Sequence, residues 1–164
     1  MSFSIESVRE APASPDAVYR FYIDPSTWGR WGHNTRWARA EGPVAEGSIV
    51  HVKAGYGAVY PVRVLRLVPG RLIVCEVKPR GLLVTNSYEV TSAGAGARLR
   101  HTIEVEGRIA GLLPRLGFKW LYRRLLAKET RRLVALVIER ETQADDAKTQ
   151  AVEAPQPTRE GPTT

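Results

Sequence analysis

The sequence predicts one α+β domain in which a strongly curved antiparallel sheet of about seven strands wraps a single long C-terminal helix, with two short helices after the first strand. Three observations carry this. From Thr35 to Gly107 the chain alternates short apolar-rich runs with turn residues, as an antiparallel meander does. From Leu112 to Glu141 there is no proline after Pro114, and apolar residues recur at helical spacing. The length of 164 residues suits one hydrophobic core better than two.

Phe3 to Ala11 alternates apolar and polar residues and reads as an edge strand. Ser14-Pro15-Asp16 then offers an N-cap, a proline at the first helical position and an acid at the positive end of the helix dipole. Val18, Phe21 and Tyr22 share a face of the resulting helix, and Asp24-Pro25 ends it and starts a second through Trp28. Six strands are expected at Thr35–Glu41, Ser48–Lys53, Val59–Val68, Arg71–Lys78, Leu82–Thr91 and Ala97–Glu106. In the last helix Tyr122, Leu126, Thr130, Leu133 and Val137 form a face wide enough to close over a sheet. The domain is expected to span residues 1–141. Residues 142–164 lack aromatic, Leu and Ile residues and are expected to be a disordered tail, because nothing there offsets ordering entropy.

Composition narrows the function classes. Hydrophobic residues at 43% and charged residues at 25% are ordinary for a soluble globular protein. No apolar run approaches the ~18 residues of a bilayer span, and the start lacks a basic then apolar leader, so a cytoplasmic location is expected. The single Cys75 excludes an internal disulfide, and no Cys/His cluster has metal-ligand spacing, so neither metal nor cofactor is expected. The net charge of +7 divides into +9 over residues 1–141 and −2 over residues 142–164, a balance that favours anionic partners. Arg123, Arg124, Lys128, Arg131 and Arg132 gather on the outer helix side, where phosphates would bind. Without interleaved exposed aromatics, a solvated helix back is the plainer reading; nucleic acid is not expected, and peripheral membrane contact stays open.

Ala11-Pro12-Ala13-Ser14-Pro15-Asp16-Ala17-Val18-Tyr19-Arg20-Phe21, then Asp24-Pro25 and Trp28-Gly29-Arg30-Trp31, together with the Gly94-Ala95-Gly96-Ala97-Arg98-Leu99 hairpin before the long helix, form a recognisable set. Over residues 3 to 141 the chain resembles the START-like, or Bet v 1-like, superfamily (SRPBCC) of polyketide cyclases and dehydrases, lipid carriers and plant allergens. The resemblance implies a helix-grip fold with a cavity between sheet and helix. These motifs serve turns and packing, so they recur across activities.

Strand parity nominates the site. His101 shares a face with Leu99, Ile103 and Val105 and is expected to point inward, where it either orients a ligand and moves a proton or is a core histidine satisfied by a hydroxyl. Asn86 and Tyr88 share a face with Val84 and Val90; they line a pocket, or Tyr88 bonds His101 directly. Trp28, Trp31 and Trp37 fall within ten residues near the expected mouth, where they stack on a planar ligand or plug the gap between helices and sheet. Tyr122 opens the inner face of the long helix. His33, in a Gly-His-Asn loop, is expected to be exposed. Arg63 and Glu76 lie in strands of ambiguous parity, either on the solvated face or as an internal pair.

The candidate ligand-binding set is therefore His101, Tyr88, Asn86, Trp28, Trp31, Arg63 and Tyr122, with no residue assigned a catalytic role. No phosphate-cradling glycine loop, nucleophile elbow or metal motif occurs. The function expected is binding of a small hydrophobic or aromatic molecule, lipid or polyketide-like, in an internal cavity. The alternative, which the resemblance implies, is a cyclase or dehydrase working by cavity shape and one or two acid/base groups.

Overall fold

The structure is a computed structural model that describes residues 2–79 and 81–153. Strand β1 (Ser2–Ala11) leads into helix α1 (Pro15–Ile23), whose N-cap Ser14 accepts a hydrogen bond from the Ala17 amide at 3.2 Å. Asp24 caps a 3-10 turn at Pro25–Thr27, and helix α2 (Trp28–Trp31) follows at once. A side chain at Gly29 would meet the Arg36 carbonyl oxygen at 2.5 Å, so glycine there lets α2 lie against the next strand.

Strands β2 (Thr35–Ala40), β3 (Ile49–Ala54), β4 (Val59–Val68), β5 (Leu72–Val77), β6 (Leu82–Ala93) and β7 (Gly96–Gly107) complete one sheet in the order β1-β7-β6-β5-β4-β3-β2, with every pairing antiparallel. A sheet with β1 and β2 at opposite edges and a long helix across one face is the helix-grip arrangement expected. Strand β7, beside the edge strand β1, buries Ala97, Leu99, His101, Ile103 and Val105, the parity read from the sequence. A register shift between Val64 and Arg66 in β4 explains why that strand looked apolar on both faces: Val62 and Val64 are buried before it, Leu65 is exposed at it.

After β7, a second 3-10 turn at Leu113–Leu116 stops at Gly117, whose φ of 75° reverses the chain, and helix α3 runs Phe118–Glu153. The long helix thus starts six residues later than the sequence suggested and ends twelve later. Residues 142–153 are helical, contrary to an unstructured tail beginning at 142. The run Glu141-Thr142-Gln143-Ala144-Asp145-Asp146-Ala147 contains good helix formers and neither Gly nor Pro, so a helix already nucleated continues even with residues 142–147 exposed. Residues 154–164 of the expected tail lie outside the described residues.

Helix α3 lays Leu126, Glu129, Thr130, Leu133 and Val137 on the sheet, each no more than 4% exposed. Arg123, Arg124, Lys128, Arg131 and Arg132 are exposed, as expected of its back. The apolar core divides into two clusters. The larger joins α1, Trp28 and Trp31, the inner faces of β2 to β7, Leu133 and Val137. The smaller holds Ile5, Ile103, Val105, Ala110 and Leu126. Among the described residues no helix is long and apolar enough to cross a membrane.

Candidate functional site

A cavity of about 210 Å³ opens between sheet and helix, bordered by members of both core clusters. Inward strand residues Val62, Cys75, Val84, Asn86, Tyr88 and Ile103 form its sheet wall, Trp28 and Trp31 of α2 one end, and Tyr122 and Glu129 of α3 its roof. His33 and Asn34 enter from the loop after α2. Alternation places the strand residues there: Asn86 and Tyr88 are two apart in β6, and Ile103 pairs with Asn86 across to β7. The two tryptophans are held by hydrogen bonds from their indole N–H groups, Trp28 to the Tyr22 carbonyl at 3.1 Å and Trp31 to Thr27 Oγ1 at 3.2 Å. Their rings meet edge to face, and Trp31 meets Tyr88 in the same way with centroids 5.6 Å apart.

His101 points inward and is fully buried, but it sits behind the cavity wall and not on it. Its neighbours in register are Tyr88 and Ser7. The hydrogen bond to its Nε2, at 2.9 Å, comes from Tyr22 on α1 and not from Tyr88, whose ring instead stands edge-on at 4.7 Å. Tyr88 is beside His101 on the adjacent strand, so the two side chains leave the sheet side by side, whereas Tyr22 comes from α1. Burial, partly opposed by the Glu129 charge, lowers the His101 pKa to about 4, so the ring is neutral near pH 7. A neutral ring has one donor and one acceptor. With Tyr22 donating to Nε2, Nδ1 carries the proton toward Thr130 Oγ1 at 3.4 Å, and Thr130 donates in turn to the Leu126 carbonyl at 2.9 Å. His101 is thus a core histidine satisfied by hydroxyls.

The charged member of the wall is Glu129, which the sequence reading passed over. It is 4% exposed. Its Oε2 accepts the His33 backbone N–H at 3.2 Å and pairs with His33 Nδ1 at 2.8 Å. His33 is consequently not the exposed loop residue expected: its side chain is 19% exposed and its ring packs edge-on against Tyr122 at 5.9 Å. Glu129 Oε1 is buried 3.8 Å from His101 Nδ1 and has no hydrogen-bond partner. Burial first and the Glu129 charge second push the Tyr22 and Tyr88 hydroxyls well above their usual pKa, so both remain protonated donors. Burial pushes the Cys75 thiol up to about 12, which removes it as a nucleophile at neutral pH. Among the described residues no group of three or more His, Cys, Asp or Glu is placed to hold a metal ion.

Of the seven candidates, the structure gathers Trp28, Trp31, Asn86, Tyr88 and Tyr122 on the cavity wall. Arg63 is exposed on the outer face of the sheet, directly across from Glu76, which in turn pairs with Lys78 at 3.1 Å. Alternation ahead of the register shift makes Val62 and Val64 the inward residues and turns Arg63 out, away from the cavity. Trp37 is away from the mouth as well: it is half-buried, with the Arg39 guanidinium over its ring at 4.9 Å. Glu129 was legible in part, since it lies three residues after Leu126 and four before Leu133, on the apolar face of α3.

Solved structures share this fold. A protein of unknown function from Staphylococcus aureus superposes with a TM-score of 0.71 at 14% identity, covering 87% of this chain and 97% of that one. The di-domain ARO/CYC StfQ of the steffimycin biosynthetic pathway gives 0.67 at 19%, over 87% of this chain and 52% of its own. Ara h 8.0201 gives 0.66 at 10%, over 85% and 99%. No curated protein matches the sequence. The family described as polyketide cyclase / dehydrase and lipid transport matches residues 2–137, nearly the whole described domain, and the chain belongs to that family.

Proposed function

We propose that this chain binds a compact hydrophobic or aromatic molecule in the cavity between sheet and α3. The observation that carries the reading is the wall itself: aromatic rings of Trp28, Trp31, Tyr88 and Tyr122 and aliphatic Val62, Val84 and Ile103 surround a few convergent polar groups. At about 210 Å³ the space is below the roughly 300–1,000 Å³ of pockets for drug-sized ligands, which favours one or two rings over a long acyl chain. Titration with 2-methoxynaphthalene, followed by tryptophan fluorescence, is expected to saturate at one site with Kd between about 10 µM and 1 mM. Val84→Trp, which fills the space from β6, should abolish the signal while the thermal midpoint shows a folded protein. Linear, unsaturable quenching, or unchanged binding in that folded variant, would remove the reading.

A cyclase or dehydrase activity is the second reading. The His33–Glu129 pair favours it, since a carboxylate that fixes an imidazole at a cavity wall is placed to move a proton. A reactive poly-β-ketone separates the two. A carrier leaves its spontaneous product distribution as it is in buffer, whereas a cyclase shifts it, and shifts it less after His33→Ala.

A further inference from the structure

We infer that the molecule this cavity takes carries an O–H or N–H donor on one edge, and that this donor meets Glu129 Oε1. The inference rests on the binding reading above and specifies its chemistry.

Glu129 is held in place by one oxygen and left open at the other. Oε2 is occupied by two His33 groups, the backbone N–H at 3.2 Å and Nδ1 at 2.8 Å. Oε1 is buried and has no hydrogen-bond partner, although a buried carboxylate oxygen is among the groups that most need one. Neither Tyr88 nor Asn86 on the same wall bonds Oε1, and two further nearby donors are committed elsewhere. His101 Nδ1 is 3.8 Å away, beyond hydrogen-bond distance, and turned to Thr130. The Tyr22 hydroxyl is bonded to His101 Nε2 at 2.9 Å. Since Glu129 belongs to the cavity wall, the cavity's occupant is left to supply the donor.

The same wall sets what is refused. No Arg or Lys borders the cavity among the described residues, so the chain's net charge of +7 does not extend to its interior. A ligand carboxylate or phosphate would face Glu129 with His33 as the basic side chain on the wall, and His33 is already paired with Glu129 Oε2. The class fitted is therefore a one- or two-ring hydrophobic body with a hydroxyl or an ammonium group, and an acidic ligand is excluded.

A matched naphthalene series tests this on the intact chain at pH 7: 2-naphthol, 2-naphthylmethylamine, 2-methoxynaphthalene and 2-naphthoate. Shape and apolarity alone rank 2-methoxynaphthalene above 2-naphthol. A donor to a carboxylate reverses that order, with 2-naphthol, the amine or both about tenfold or more tighter than 2-methoxynaphthalene, and 2-naphthoate weakest. Glu129→Gln distinguishes the donors. An ammonium ligand should lose its whole advantage with the charge, whereas a hydroxyl keeps part of it on the amide oxygen. Equal affinities for donor and methoxy probes in the unaltered protein would overturn the inference, leaving water as the partner of Oε1 and the binding reading intact. Tight 2-naphthoate binding would overturn it too. Failure of every probe would overturn the binding reading and this inference with it. The ranking in the unaltered chain decides the matter even if Glu129→Gln does not fold.

Discussion

Replacing Trp31 by alanine is expected to destabilise the protein by about 3–5 kcal/mol, the range for removing a large aromatic from a packed core. Trp31 is 3% exposed and joins three elements. Its ring meets Trp28 at 6.4 Å within α2, Tyr22 at 6.3 Å on α1, and Tyr88 and His101 at 5.6 and 6.2 Å on the sheet. Alanine removes all four contacts and strips Thr27 Oγ1 of the indole donor. The loss also connects the void to the ligand cavity, so the variant should accept bulkier probes than the parent. Urea denaturation with an unchanged m-value measures the first effect, and a naphthalene-to-anthracene affinity comparison measures the second. A loss below about 1 kcal/mol would mean that Trp31 rests loosely at the mouth and does not plug the junction of helices and sheet.

Acidification below about pH 6.5 is expected to destabilise the fold, and His101 is the reason. Its folded pKa of about 4 lies below the ~6.5 of an unfolded histidine, so the unfolded chain binds the extra proton. Stability from the neutral ring is complete above about pH 6.5 and is lost as pH falls toward 4, with a total on the order of 3 kcal/mol. The groups around the ring set this sign: Tyr22, Tyr88, Thr130 and Ser7 are neutral, and the lone carboxylate, Glu129, opposes the shift without reversing it. His101→Leu removes the titration. It should cost about 1–3 kcal/mol at pH 7 by stranding the Tyr22 hydroxyl, and then flatten the decline between pH 6.5 and 5. Unfolding midpoints at half-unit intervals for both proteins provide the comparison. Parallel curves would show that the imidazole is not the group responsible.

Much of the fold is visible in the sequence because local chemistry and global pattern agree. Ser14-Pro15 marks the start of α1, the glycine-bearing turns divide the strands, and the period-two pattern of β7 turns His101 inward. What the sequence hides depends on long-range partners or local irregularity. The Tyr22–His101 bond spans 79 residues, and the His33–Glu129 pair spans 96, so neither has a spacing to detect. Glu129 sits on a visibly apolar face, yet a carboxylate there makes sense only once His33 is seen above it. The β4 register shift after Val64 puts apolar residues on both parities of that strand, which hides from the sequence that Arg63 faces outward. Helix α3 outlasts its apolar face because residues 141–147 include good helix formers and neither Gly nor Pro.

The central claim is that the space under α3 is a binding site, and locating a bound probe tests it most directly. Intermolecular NOEs from the ring protons of 2-naphthol in complex with the isotope-labelled protein are expected to reach the methyl groups of Val62, Val84 and Ile103 and the rings of Trp31 and Tyr88 together. Contacts confined to outward residues such as Val59 or Leu65, both more than 40% exposed, would contradict it.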